Sequence, residues 1–380
     1  MRLHGLVLAA VFTLACAQPS LPGQPVVFTQ DGQQRNGPVC DCYVVDGPDP
    51  GHFQGYRFWD FRRVPLDPAA AAGYQFYPTV NDQPVPYGPA AQPILLKDTA
   101  ITKDWLIQDW HRPGSRLFPV SIANSEKNVF ISRTPGSDST FLVLRTKRLD
   151  QYSSTAEIAT SFKSFLHVSM RVRLRILEKD FPILFPPAET QRLFVNTSAT
   201  TPGEDSEASA LRKRATALLP PPNGACAGIF TYFSRTSEAD IEILTSDPPT
   251  RIHYANQPDY DPVLDQRIPG ASQDWNIPIP WTTMATHRLD WFPDMTRWYL
   301  ENQLQTTSVY SVPKDPSTVI INLWSDGGLW SGDLGVGETV HLAIEWIELA
   351  YNVTGPPAGP CNRKCRIDGV QFPGIPELVP

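Results

Sequence analysis

The stretch "HVSMRVRLRI", His167 to Ile176, alternates with a period of two. Val168, Met170, Val172, Leu174 and Ile176 share one face, with Ser169, Arg171, Arg173 and Arg175 on the other. Successive side chains of an extended chain point to opposite faces, so the stretch reads as a strand with one side on a core. Further strand-like runs are "NVFIS", "TFLVLRT", "GIFTYF", "RIHYA", "HRLDWF", "RWYLE", "STVIINLW" and "HLAIEWIEL", while helical periodicity is nearly absent. Short strands divided by Pro, Gly, Asn and Asp loops predict an all-β chain, a β-sandwich of the jelly-roll type. "YLENQLQTT" predicts a hairpin with Glu301-Asn302 at its turn. The 39 prolines among 380 residues are about twice average usage, so the loops must be long and Pro-rich.

The beginning of the sequence reads as an export signal. Arg2, an apolar run from Gly5 to Leu14 and the small residues Ala15-Cys16-Ala17 make residues 1–17 a secretory signal peptide, with the mature chain starting near Gln18. No later segment has the roughly 18 uninterrupted apolar residues of a spanning helix, and no lipid-anchor tail follows, so a secreted, extracellular protein without a membrane partner is expected. A net charge of -7 offers no basic surface for nucleic acid. Beyond the signal five cysteines remain: Cys40, Cys42, Cys226, Cys361 and Cys365. An oxidising compartment favours disulfides with one thiol left over. No histidine pair at ligand spacing accompanies them, so no metal and no cofactor is expected. "DYDPVLD", Asp259 to Asp265, matches no standard calcium loop.

Residues 18–360 read as a single β-jelly-roll domain and 361–380 as a cysteine-bearing tail. Residues 196–222, "NTSATTPGEDSEASALRKRATALLPPP", are rich in small residues and proline and read as a disordered insertion. Arg212-Lys213-Arg214 within it reads as a solvated basic patch or a processing site. Asn196-Thr-Ser and Asn352-Val-Thr fit the glycosylation pattern.

The chemistry concentrates in "TSEADIEILTSD", Thr236 to Asp247. Glu238, Asp240 and Glu242 fall on one strand face, and Ala239, Ile241 and Ile243 on the core face. Three like charges in a row on a solvated strand would be mildly destabilising. In a site the repulsion is useful. Crowded carboxylates cannot all ionise normally, so one stays protonated near neutrality and can act as an acid. Two glutamates leaning together over the shorter Asp240 suit the roughly 5 to 5.5 Å carboxyl separation of a retaining glycosidase.

At these residues the sequence resembles glycoside hydrolase family 16, whose signature Glu-x-Asp-x-Glu sits on a strand of a concanavalin A-like jelly roll. "HRLDWFPDMTRWYLEN" (287–302), "INLWSDGGLWSGD" (321–333), "AIEWIELAYN" (343–352) and the "CDCYVVDG" opening with its cysteine-bearing tail are similar to secreted fungal members. The resemblance spans about Cys40 to Cys365. It implies Glu238 as nucleophile, Asp240 as its helper and Glu242 as acid/base, acting on a β-glucan-type polysaccharide, by hydrolysis or by transglycosylation. The regular spacing leans towards mixed-linkage glucan, xyloglucan-type or wall-remodelling members. Ala239 departs from the bulkier aliphatic often found there.

Sugars bind by stacking on aromatics and by edge hydrogen bonds. Trp324 and Trp330 are the stacking candidates, and Asn256 and Gln257 the hydrogen-bonding ones. Trp291 and Trp346 read as core residues, and His253 and His287 equally as structural ones. The rival from another class is a non-catalytic, lectin-like carbohydrate-binding protein, which has no need of two glutamates flanking an aspartate. A monomer is expected. Terminal strands of a sandwich often lie together, which pairs Cys361 and Cys365 with Cys40 and Cys42 in either connectivity and leaves Cys226 free.

Overall fold

The computed structural model describes residues 40–47, 51–76, 91–186, 218–261, 263–264, 266–355 and 359–379, and the backbone of two short strands at Thr29–Gln30 and Gln33–Gln34. The signal peptide, the insertion up to residue 217 with its basic triplet, and Asn196 lie outside the described residues.

The principal strands are β1 (Gly55–Asp60), β2 (Trp105–Ile107), β3 (Val129–Arg133), β4 (Thr140–Arg148), β5 (Tyr152–Thr160), β6 (Phe165–Ile176), β7 (Cys226–Ser234) and β8 (Ser237–Leu244). They continue as β9 (Arg251–Asn256), β10 (Ser272–Asn276), β11 (Ala285–Trp291), β12 (Thr296–Leu300), β13 (Gln303–Ser308), β14 (Thr318–Trp324) and β15 (Thr339–Val353). One antiparallel sheet runs β2-β5-β14-β7-β8-β9-β10. The other runs β3-β4-β15-β6-β11-β12-β13, with β1 on the second half of β15. The two pack face to face as a jelly-roll β-sandwich.

Alternation places the core. Val168, Met170, Val172, Leu174 and Ile176 of β6 are buried in one cluster with Ala239, Ile241 and Ile243 of β8. Each fully buried aliphatic of this size contributes about 1.5–3 kcal/mol. The Glu301-Asn302 turn has φ of 46° and 62° at its two residues, the geometry of a two-residue hairpin whose twist matches its strands. Asparagine tolerates this region well; glutamate is unusual there.

The outer face of the second sheet is not left to water. A small sheet of Cys42–Val45, Gly51–Phe53, Lys364–Arg366 and Glu377–Leu378 covers it. Cys40–Cys365 and Cys42–Cys361 close this layer, while Cys226 is free and buried. Ser169 and Arg171, on the polar face of β6, are therefore buried as well. Arg171 pairs with Glu348 at 3.4 Å and Asp368 at 3.0 Å, and Arg288 with Asp290 at 2.5 Å and Asp368 at 3.3 Å. Trp291 packs in the main core, and Trp346 packs under the covering layer beside Phe58.

Candidate active site

Directly opposed residues of an antiparallel pair share a face, so register alone builds the cleft. Glu242 of β8 is opposite Gly228 of β7, Gly228 opposite Asn322 of β14, and Asn322 opposite Glu157 of β5. The next row holds Asp240, Phe230 and Ile320. Glycine at 228 leaves room for Asn322: a Cβ there would sit 2.7 Å from Asn322 Oδ1, which accepts the Gly228 N–H at 3.1 Å. A cavity of about 240 Å³ opens on this face. Glu238, Asp240 and Glu242 line it together with Glu157, Asn322, Trp324 and Trp110.

The acid strand is held from both sides. Trp298 of the opposite sheet donates its indole N–H to Asp240 O at 2.9 Å, stacking on Tyr254 within the core. Gln257 Nε2 donates to Asp240 Oδ2 at 3.0 Å, and Gln257 N to Glu238 O at 3.0 Å. Burial pushes Glu238 up to about 7, with repulsion from Glu242 and Asp259 adding and a hydrogen bond with Asp240 opposing. Burial, with the charges of Glu238 and Glu242, raises Asp240 well above the usual carboxylate range. Glu242 is also raised by burial, against hydrogen bonds from Cys226 and Trp330 and the nearby His253. The site can therefore hold protons near neutrality among three adjacent acids, which acid/base chemistry requires.

The other expected residues divide. Trp324 lines the cavity. Trp330 stands edge-on to His253, centroids 4.8 Å apart, with Arg267 over its ring, and its indole favours the ionised form of Glu242. It supports the acid rather than lying open as a stacking platform. Gln257 is likewise occupied with Asp240. Asn256 is a correction to the expectation. It pairs with Ala239 on the core face, is fully buried, and donates to Thr296 Oγ1 and Tyr310 O. A strand alternates, so two adjacent residues cannot both face the cleft. His253 is held between Asp247 at 2.6 Å and Asp274 at 2.8 Å, and His287 is buried in the back sheet. The side-chain amide of Asn352 bonds Gln54 N and His52 O.

Glu157 is one of the cleft residues, with Asn322 and Trp110, that the sequence reading missed. Its carboxylate accepts from Trp110 Nε1 at 3.0 Å and Asn322 Nδ2 at 3.3 Å, and burial raises its pKa. An acid set alone between Ala156 and Ile158 in a strand-like run was the available signal.

No family model matches the chain. A β-glucanase of Bacillus subtilis is 25% identical over 135 residues, 33% of this chain and 51% of that protein. One from Paenibacillus polymyxa is 26% identical over 137 residues, 34% and 54% of the two chains. The chain is similar to bacterial β-glucanases. It spans about half the length of these curated relatives. Among solved structures, the β-glucanase of Bacillus licheniformis aligns at a TM-score of 0.45 with 16% identity, over 66% of this chain and 94% of that one. A glycoside hydrolase family 16 endo-glucanase from Bacteroides ovatus aligns at 0.43 with 14% identity, over 65% and 94%.

Proposed function

We propose that this chain is a secreted, retaining glycoside hydrolase of the family 16 type, cleaving or transferring internal β-glucosidic bonds of a β-glucan. The observation that carries the reading is the set Glu238, Asp240 and Glu242 lining one cavity with Trp324, Asn322 and Glu157. Glu238 attacks the anomeric carbon as the glycosidic C–O bond breaks, and Glu242 gives its proton to the departing oxygen. Glu242 then takes a proton from water, or from a sugar hydroxyl, as that oxygen displaces Glu238. Asp240, bonded to Glu238 and clamped by Gln257, orients the nucleophile and shares its proton. Trp324 supplies an apolar ring for a glucosyl face, and Glu157 and Asn322 supply edge hydrogen bonds.

Export, glycans at Asn196 and Asn352, one catalytic domain and action as a monomer belong to the same proposal. The test is a panel of β-1,3-, β-1,4- and mixed-linkage glucans with product analysis. Glu238→Gln is expected to lose ~10⁴-fold or more of turnover while still binding glucan. Unchanged turnover in that variant overturns the assignment. Wild-type protein that binds glucan and releases no product supports the lectin-like alternative instead.

A further inference from the structure

Cys226 begins β7 on the cleft face, one pleat from Gly228, in register with Leu244 of β8 and Trp324 of β14. Glu242 is opposite Gly228, where no side chain competes for space, so Cys226 is its diagonal neighbour. A long side chain reaches that diagonal: Cys226 Sγ lies 3.3 Å from Glu242 Oε1. We propose that Cys226 is a positioning residue for Glu242, its thiol donating to Oε1 and fixing the orientation of the carboxyl that handles the proton of glycosyl transfer. The inference rests on the catalytic reading of Glu242.

The thiol suits the task. It is fully buried, and burial with the charge of Glu242 raises its pKa well above the ordinary thiol value. It therefore stays S–H, a donor that never ionises beside the acid and never competes with Glu238 as nucleophile. Cys226 keeps this hydrogen in both steps: the proton moving between Glu242 and the glycosidic or water oxygen is Glu242's own. Trp330 lies beside the same carboxyl and favours its ionised form, but the hydrogen bond that holds Oε1 comes from Cys226, which is not the strand neighbour directly opposite. The other titratable groups facing the pair are Glu238 and Asp240 on β8, His253 on β9, Asp259 beyond β9 and Asp326 beyond β14. A donor stabilises the ionised carboxylate, so losing it makes Glu242 hold its proton to higher pH.

The experiment compares kcat/KM against pH for wild type, Cys226→Ala and Cys226→Ser on a soluble β-glucan. It is paired with a ¹³C NMR titration of the Glu242 carboxyl that needs no turnover. Cys226→Ala is expected to move the basic limb and the Glu242 titration upward by about half to one pH unit, the effect of a weak donor on a charged acceptor. Cys226→Ser, which keeps a donor, is expected to leave both at or below the wild-type position. Cys226→Val replaces the alanine variant should that one fail to fold. Superimposable limbs and titrations for wild type and Cys226→Ala overturn the proposal. A wild-type protein without glucan turnover overturns the catalytic reading instead, and the NMR titration then decides the thiol's role alone.

Discussion

Glu238→Gln should make the protein more stable, and only above acidic pH. The wild-type carboxyl titrates at about 7 in the folded protein because burial and the neighbouring acids favour its protonated form. Unfolded, it returns to its ordinary value of 4.5. That gap corresponds to about 3 kcal/mol at roughly 1.4 kcal/mol per pH unit. Its sign follows from linkage. Below 4.5 the residue is protonated in both states, and its contribution is fully present. As pH rises through 7 that contribution is lost, because the folded state must ionise a buried group that the unfolded chain ionises freely. Glutamine does not titrate. Urea unfolding followed by tryptophan fluorescence should therefore give near-equal stabilities at pH 4, with the variant ahead by about 3 kcal/mol at pH 8. An identical difference at both pH values, or a wild type more stable at pH 8, would refute the claim that the cleft stores proton affinity at the expense of stability.

Three further outcomes follow from the same structure. Asp368→Ala leaves Arg171 and Arg288 buried without their shared carboxylate and should cost about 3–5 kcal/mol in thermal or urea unfolding; a loss under ~1 kcal/mol contradicts the network's role. Removing Cys42–Cys361 alone should cost less than ~2 kcal/mol, since Cys40–Cys365 still closes a 325-residue separation. Removing both bridges should cost about 6–8 kcal/mol on the chain-entropy account, and equal costs for one and for two would contradict it. Glu157→Gln should raise KM for glucan about tenfold with kcat within a few-fold, because it touches the cleft without handling the proton; a collapse of kcat at unchanged KM would place it in the chemistry instead.

Strand alternation made much of the fold legible. Residues 167–176 placed five side chains in the core, and the Glu301-Asn302 turn followed from the hydrophobic runs on either side. The acid strand was equally readable, since Ala239, Ile241 and Ile243 fixed which face the three carboxylates take. What stayed hidden depends on contacts far apart in sequence. Nothing local to Ser169 or Arg171 tells that residues from both ends of the chain will cover them, because Asp368 lies about two hundred positions away. The amides of Asn256 and Gln257 suggest the same chemistry, although a pleated strand separates neighbours to opposite faces. Trp324 and Trp330 looked equivalent in a glycine-rich stretch, but the first ends a strand on the cleft and the second sits in the loop beyond, against His253. Glu157 went unread because a single acid between apolar residues has no partner in sequence; Asn322 and Trp110 become its partners only across strands.

The most direct test of the central claim is to react the protein with an activated 2-deoxy-2-fluoro β-glucoside oligosaccharide, digest it, and locate the adduct by mass spectrometry. A glycosyl mass placed on Glu238 itself by fragmentation of its peptide, with turnover products emerging in the β-configuration, is the predicted result. An adduct on Glu242 or elsewhere, or products of inverted configuration, would contradict it.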